Sequence, residues 1–467
     1  MALDSPLFLF VFLPALLGLY ALTPARLRGG LLLAASLAFY ALGDVASLPV
    51  FLGSIAFNML MGLALAKAGD ASRPGVLGLG VAANLAFLAY AKYFTFFFGH
   101  IPALAGLTPK SLPLGVSFFT FSAVAYLVDV SRRACPAETN PIRFALFLAF
   151  FAKITAGPIA RAQDMRDHAG LTLEDVTEGF KRLAIGLAKK TLIAGQLGAL
   201  ADAAFGERAG NLDMGTAWLG LVCYALQLYF DFSGYTDMAV GLGRLFGYRL
   251  PENFNYPYTA QSVREFWRRW HMTLSSWFRD YLYIPLGGGR VAPWRVQLNL
   301  LIVFTLCGLW HGASWSFVVW GLWHGLFLAL ERTAVGRLLD RAPRPLRHLY
   351  AVLAVGLGWV FFRAANFDAA LQYFQALAGL SGGSFDYTWM MRVNRQFLAA
   401  LACGLLGCAP TVGWLRDRLS PPVPDAGPNS SSRAVRWAGA LLPPALLAAA
   451  VLQLAAGSHA PFIYAQF

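Results

Sequence analysis

Three histidines stand where the chain is most apolar or most aromatic. His271 sits in EFWRRWHMTLSSWFRDYLYIPLGG (265–288), and His311 and His324 sit in NLLIVFTLCGLWHGASWSFVVWGLWHGLFLALE (299–331). The ordinary pKa of histidine places its proton exchange near neutral pH. A buried imidazole can therefore take the proton of a hydroxyl as its oxygen attacks a carbonyl, while tryptophan or backbone N–H groups hold the oxyanion. Ionisable groups at membrane depth are costly and by default mark a pathway or a site. On one straight helix the imidazoles of the two GLWHG copies would lie about 20 Å apart along the axis. The run 299–330, with Arg on both flanks, is long for one upright span and fits a hairpin bent near Gly312–Ala313–Ser314. His311 lies beside that bend between Gly308 and Gly312, glycines that let a substrate or a backbone come close. It is the stronger catalytic candidate, with Trp310 beside it as a substrate contact. Cys307 and Ser314 share its face and leave a covalent acyl-enzyme open. His324, nearer Glu331 and Arg332, is a secondary candidate expected to pack. Beside each functional reading stands a plain one, a core histidine bonded to a carbonyl.

Placed on one helix, 264–281 puts Phe266, Trp270, Leu274, Trp277 and Tyr281 on one face and Arg264, Arg268, His271, Ser275 and Arg279 nearly opposite. An interfacial helix in the headgroups explains such a pattern. The alternative is an Arg face that lines a polar entrance and binds an anionic substrate through Arg264, Arg268 and Arg279. LQLYFDFSGYTDMAVGLGRLFG (226–247) adds Asp231 and Asp237 with Tyr235. These suggest a lined cavity with Asp231 and Tyr235 as contacts, or acids paired with Arg244 or with the Arg face. Buried carboxylates usually need a cation, which favours the structural role. No His-x-x-x-His or Cys-x-x-Cys pair occurs, so no metal site is expected. The five Cys, at 135, 223, 307, 403 and 408, show no metal spacing and read mostly as buried thiols.

The elements that must position these groups are membrane spans. The chain is 58% hydrophobic and 13% charged, against about 25% charged in soluble domains. Its mean hydropathy is +0.55. Spans are expected at about 6–23, 30–45, 48–67, 75–99, 112–130, 183–206, 216–243, 349–364, 395–413 and 437–456. The first lacks a basic leader and a small-residue cleavage site, so it reads as a retained span. Arg26 and Arg28, then Lys67 and Arg73, then 131–143 place basic loops in the cytoplasm and the N-terminus outside. The net charge of +13 lies in such loops and suits anionic lipid better than nucleic acid. FALFLAFFAKITAGPIAR (144–161), with Lys153 in its middle, fits a re-entrant segment. Residues 421–432 form a polar, Pro-rich loop. The expectation is an all-α polytopic protein in one membrane domain over 1–467, with roughly 10–12 transmembrane helices plus re-entrant and amphipathic helices around a central tunnel.

The motifs LPLGVSFFTFSAVAYLVDV (112–130), AGPIARA (156–162), YFDFSGYTDMAVGLGRLFGYRLPENFNYPY (229–258), EFWRRWHMTLSSWFRDYLYIPLGG and GLWHGASWSFVVWGLWHG (308–325) come in this order. The run resembles the membrane-bound O-acyltransferase family, and within it the bacterial branch of the alginate O-acetyltransferase membrane subunit. The resemblance covers roughly 1–380, with motif core 112–330. FAKITAGPI departs from the more aromatic or Pro-rich approach to AGPI in that family. The resemblance implies catalysis by His311, with His271 as the second polar site residue, and an acetyl-CoA donor on the cytoplasmic side, whose phosphates the Arg would suit. It implies no bound cofactor. It further implies a bacterial inner membrane setting, periplasmic acetyltransferase or acyl-relay partners, and an envelope or secreted polysaccharide as acceptor, directly or through a partner. D-alanyl or acyl transfer to teichoic acid or peptidoglycan is the related alternative. A proton-coupled transporter and a non-catalytic scaffold are the readings from other classes. Paired halves, common in transporters, are not found, and a scaffold leaves His311 in the bilayer without a reason.

Overall fold

The computed structural model of the protein describes residues 1–109, 111–165, 171–206, 212–382, 393–419 and 433–456. The Pro-rich 421–432 lies outside them. Among the described residues every regular element is helical. The α-helices run α1 Leu13–Leu22, α2 Ala25–Asp44, α3 Leu48–Lys67, α4 Arg73–Phe98, α5 Val116–Ser131, α6 Pro141–Ala149, α7 Leu173–Ala188, α8 Gly195–Gly206, α9 Met214–Leu245, α10 Val263–Arg269, α11 Met272–Phe278, α12 Pro293–His311, α13 Trp315–Leu330, α14 Ala334–Arg341, α15 Arg344–Arg363, α16 Phe367–Leu377, α17 Arg395–Gly407, α18 Thr411–Leu419 and α19 Arg433–Ala455. The expected spans fall on helices, except that 395–413 is split between α17 and α18. Five stretches are long and apolar enough to cross a bilayer: α2, α3, α4, the continuous Leu173–Gly206 and α15. Shorter apolar helices accompany them, including α5, α13 and α17. This is a polytopic membrane protein. α2, α3 and α4 leave most of their residues unburied within the chain; the exposed side chains include Leu42, Val50, Leu60, Leu79 and Leu85, which suits hydrocarbon.

Two compact units share the chain. The first comprises Met1–Gly179, Met238–Pro251 and Ser276–Leu282. Its core is aromatic, with Phe8, Phe39, Phe51, Phe119 and Phe151 all but fully buried. Gly62 gives α5 a close seat, since a Cβ there would lie 2.5 Å from the Tyr126 ring. α6 has nine residues, about 13 Å, far short of the ~30 Å hydrocarbon core. Asn140 caps its N-terminus by accepting from Ile142 and Arg143 N–H. Buried turns follow through Gly157. Gly115, at φ +68, lets α5 begin against the Ile154 carbonyl, where a Cβ would come within 2.2 Å. The Lys153 ammonium lies 5.1 Å from the centre of the Phe147 ring, a cation–π contact that shelters a charge in an apolar setting.

The second unit comprises Phe180–Asp237, Glu252–Ser275 and Tyr283–Phe467. The three histidines lie here. α12 and α13 form the hairpin expected over 299–330: α12 ends at His311, Gly312 is extended, and Ser314 caps α13 by accepting from Ser316 N–H. The helices touch through glycine. A Cβ on Gly308 would meet the Phe317 carbonyl oxygen at 2.2 Å, and one on Gly321 would meet that of Phe304 at 2.2 Å. The close approach at Gly308 is thus taken by the partner helix. The cysteines are less buried than expected. Cys223 and Cys307 are buried, Cys135 and Cys408 half-buried, and Cys403 exposed.

Candidate active site

The helix expected over 264–281 is broken. α10 stops at Arg269, and α11 starts at Met272. His271 lies in the break at φ +43, a left-handed conformation rare for a non-glycine side chain. It is fully buried, so its place on an Arg face does not hold. The irregular segment 253–255 supplies the cause. The Asn255 N–H donates to the Arg269 carbonyl at 2.9 Å and closes α10. The Asn253 carbonyl accepts from Met272 N–H at 2.9 Å and opens α11. The Asn253 side-chain oxygen also accepts from Thr273 N–H at 3.1 Å and from the Thr273 hydroxyl at 2.9 Å. The backbone groups freed by the break are thus paired again. The same oxygen lies 3.1 Å from His271 Nδ1. His271 Nε2 is buried with no partner among the described residues. Phe232 of α9 meets the ring edge-on, at a centroid distance of 4.8 Å.

Trp310 links this imidazole to the hairpin. Its ring lies 6.0 Å from that of His271 and 5.0 Å from that of His311. Beyond His311, at 5.0 Å, stands Trp320, and beyond Trp320, at 5.1 Å, stands His324. Phe362 of α15 closes against His311 at 5.3 Å. The bend therefore does what a straight helix could not: one indole separates His311 from each of the other two imidazoles. The surroundings differ. His324 is held mid-helix, with Trp267 Nε1 donating to its Nδ1 at 3.4 Å. Trp267, Trp320 and Trp359 enclose its ring.

The charged candidates disperse. Asp231 pairs with Lys190 at 2.6 Å, both buried. Asp237 accepts from Arg182 at 2.8 Å and from Lys189 at 2.7 Å, and Arg182 also pairs with Glu252. The partners foreseen for these acids, Arg244 and the Arg face, are replaced by cations of α7 and of the π-helical turn Lys189–Ala194 that follows it. Tyr235 is buried on α9. Arg264 and Arg268 are exposed on α10; the Arg264 side chain donates to the Glu331 carbonyl. The Glu331 carboxylate accepts from Val263 N–H at 2.6 Å and from Arg264 N–H at 3.0 Å, a helix N-terminus bound by an acid. Arg279 belongs to the first unit and is engaged by Asp280 at 2.7 Å; Arg161 also pairs with Asp280. Burial pushes the Asp280 carboxyl up, but hydrogen bonds and charge from Arg279 and Arg161 outweigh it and hold the group below its ordinary value. Sequence reasoning passed over Asn253, inside PENFNYPY, and Lys189–Lys190, whose charge in an apolar run was the available signal.

Residues 116–367, more than half of the chain, match the membrane-bound O-acyltransferase family. The probable alginate O-acetylase AlgI of Azotobacter vinelandii is 41% identical across the whole of both chains. The protein of the same name from Pseudomonas aeruginosa is 39% identical, again end to end. The peptidoglycan O-acetyltransferase of Helicobacter pylori is 38% identical over 82% of this chain and 80% of its own. With its three buried imidazoles gathered around two indoles in an all-helical membrane protein, the chain belongs to the membrane-bound O-acyltransferase family.

Proposed function

We propose that this O-acyltransferase takes an acetyl group from acetyl-CoA at the cytoplasmic face of a bacterial inner membrane and passes it through a central tunnel for O-acetylation of an envelope or secreted polysaccharide such as alginate. The single domain expected from sequence is kept as part of this reading, the two compact units being its parts. The observation that carries the chemistry is the placing of Trp310 between His271 and His311. His311 is the base. It takes the hydroxyl proton as the acceptor oxygen bonds to the thioester carbonyl carbon; the C–S bond then breaks and the thiolate leaves with that proton as CoA thiol. Trp320, whose indole N–H is buried without a partner among the described residues, is the assigned oxyanion donor. Trp310 and Tyr235 are contacts for the substrate. Asp231 holds the wall through Lys190. Arg264 and Arg268 supply charge for the CoA phosphates. Periplasmic acetyltransferase or acyl-relay proteins carry the group onward.

The similarity to the peptidoglycan enzyme nearly equals that to the alginate proteins, so the polymer is the point to test. Membranes containing the full chain are given [14C]acetyl-CoA with alginate, peptidoglycan or candidate periplasmic partners. Label in alginate, or in a partner that passes it to alginate, is the expected result. Label in peptidoglycan alone overturns the acceptor, and no label from acetyl-CoA in any pairing overturns the donor.

A further inference from the structure

The hydrogen bonds around Asn253 fix which end of its amide is which. The Thr273 main-chain N–H can only donate, and it points at one Asn253 atom from 3.1 Å. That atom is therefore the carbonyl oxygen, because the NH2 group there would set donor against donor. The same oxygen lies 3.1 Å from His271 Nδ1, so Nδ1 must be the ring nitrogen that carries hydrogen. In a neutral imidazole the other nitrogen then bears a lone pair. That nitrogen, Nε2, is buried with no partner among the described residues, and an unmet acceptor at such depth is destabilising. We propose that Asn253 is a positioning residue: it locks His271 in the Nδ1–H form and presents Nε2 as a fixed hydrogen-bond acceptor for an N–H or O–H group of the substrate. This rests on the acyl-transfer reading above. It divides the labour of the two imidazoles. His311 moves the proton; His271 receives a hydrogen bond and stays neutral.

Of the charged and titratable groups on the elements around His271, Asp231, Asp237 and Arg269 are engaged in ion pairs, Arg264 and Arg268 of α10 are exposed, and His311 of α12 stands beyond Trp310. α9 presents Phe232 to the ring and carries Asp231 and Asp237, which pair with Lys190 and with Arg182 and Lys189. α12 presents Trp310, the irregular segment 253–255 presents Asn253, and α10 ends in Arg269, paired with Glu265. A carboxylate put in place of Asn253 would therefore be the new charge that the ring feels.

The test uses the full chain in membranes or detergent, with 15N-labelled histidine. Subtraction of the His271→Gln spectrum assigns His271. The wild type should show the Nδ1–H form, and Asn253→Leu should lose it. Asn253→Asp keeps the acceptor and adds a negative charge that favours the imidazolium. It should keep the Nδ1–H bond but move the acid-side loss of activity up by about one pH unit or more. Asn253→Leu should lower kcat by roughly 100-fold or more, as a misplaced tautomer does in other imidazole sites. A purely structural Asn253 would leave the acid limb where it was in Asn253→Asp. A wild-type Nε2–H signal overturns the lock whether or not the enzyme turns over, whereas full activity of His271→Leu would instead sink the place of His271 in the reaction. His271→Gln, which keeps an acceptor, should retain several-fold more activity than His311→Gln; equal loss overturns the division of labour.

Discussion

The pentapeptide GLWHG occurs at 308–312 and again at 321–325, and the two copies face each other in one hairpin. As strings they are identical; as places they are not. In the first copy the helix ends on His311, and Trp310 turns its ring between two imidazoles. In the second copy the helix runs on. Trp323 Nε1 donates to the Ala354 carbonyl at 2.8 Å, and His324 is held by Trp267 and by the space that Gly358 leaves, where a Cβ would lie 2.9 Å from Nε2. The glycines match in use: Gly308 and Gly321 each let the backbones meet. The lesson is that helix termination sets the histidine proposed to react apart from the one proposed to pack. A helix end frees the ring from its neighbours on the next turn, whereas a mid-helix ring is set by them.

The sharpest way to break this contrast is His311→Gln. Glutamine keeps the bulk and some hydrogen bonding but cannot cycle a proton near neutral pH, and general-base help is worth about 100-fold or more. Acetyl transfer should fall at least that far while membrane insertion and expression stay at wild-type level. Retention of more than about a tenth of the activity would remove His311 as the base.

Next in size comes the shared glycine contact. Gly308→Ala and Gly321→Ala each press a methyl carbon to 2.2 Å from a carbonyl oxygen of the opposite helix. Backbone must move, and overpacking of this kind costs about 1–3 kcal/mol. Both variants should melt earlier in detergent by similar amounts. Gly325→Ala, whose Cβ would meet Leu301 at 3.3 Å, should melt closer to wild type. A large drop for Gly308→Ala with none for Gly321→Ala would break the symmetry of the contact.

Much of this was legible beforehand, for physical reasons. Apolar length fixes spans, so the expected segments fell on helices. The hairpin followed from a run too long for one span with glycine and serine at its middle. The break at His271 was not legible. Periodicity assumes a continuous helix, and nothing local in RRWHMT announces that Asn255 will close one helix and Asn253 open another. The partners of Asp231 and Asp237 escaped for a related reason. Nearby Arg are the obvious partners in sequence, but a π-helical turn at Lys189–Ala194 lets two consecutive lysines both reach α9. Non-local polar pairing is what a single sequence conceals.

His324→Ala should have a smaller effect on activity than His311→Gln. Its loss leaves a cavity beside Trp267, Trp320 and Trp359 and removes the acceptor of the Trp267 N–H. Stability should fall by about 2–4 kcal/mol, in the range of large-to-small core changes. The kcat at a temperature where the protein stays folded should remain within about tenfold of wild type, since the proton is moved elsewhere. If kcat falls as far as in His311→Gln with the melting temperature unchanged, the second copy is also catalytic and the contrast is lost.

The smallest effect tests what the second copy supports. α13 runs from its GLWHG to Glu331, whose carboxylate binds the N-terminus of α10. α10 in turn carries Arg264 and Arg268 on its exposed side. The second copy thus packs as part of the brace for the helix proposed to meet the CoA phosphates, while the first carries the histidine proposed as the base. Arg264→Gln with Arg268→Gln should raise the KM for acetyl-CoA a few-fold and leave kcat nearly unchanged, because contacts remote from the reacting carbonyl hold ground state and transition state alike. Exposed charges are screened within about 8–10 Å at 0.1–0.15 M salt, so the wild-type KM should climb with salt and converge on that of the double variant. A loss confined to kcat, insensitive to salt, would mean that these arginines hold α10 in place and that the phosphates are met elsewhere.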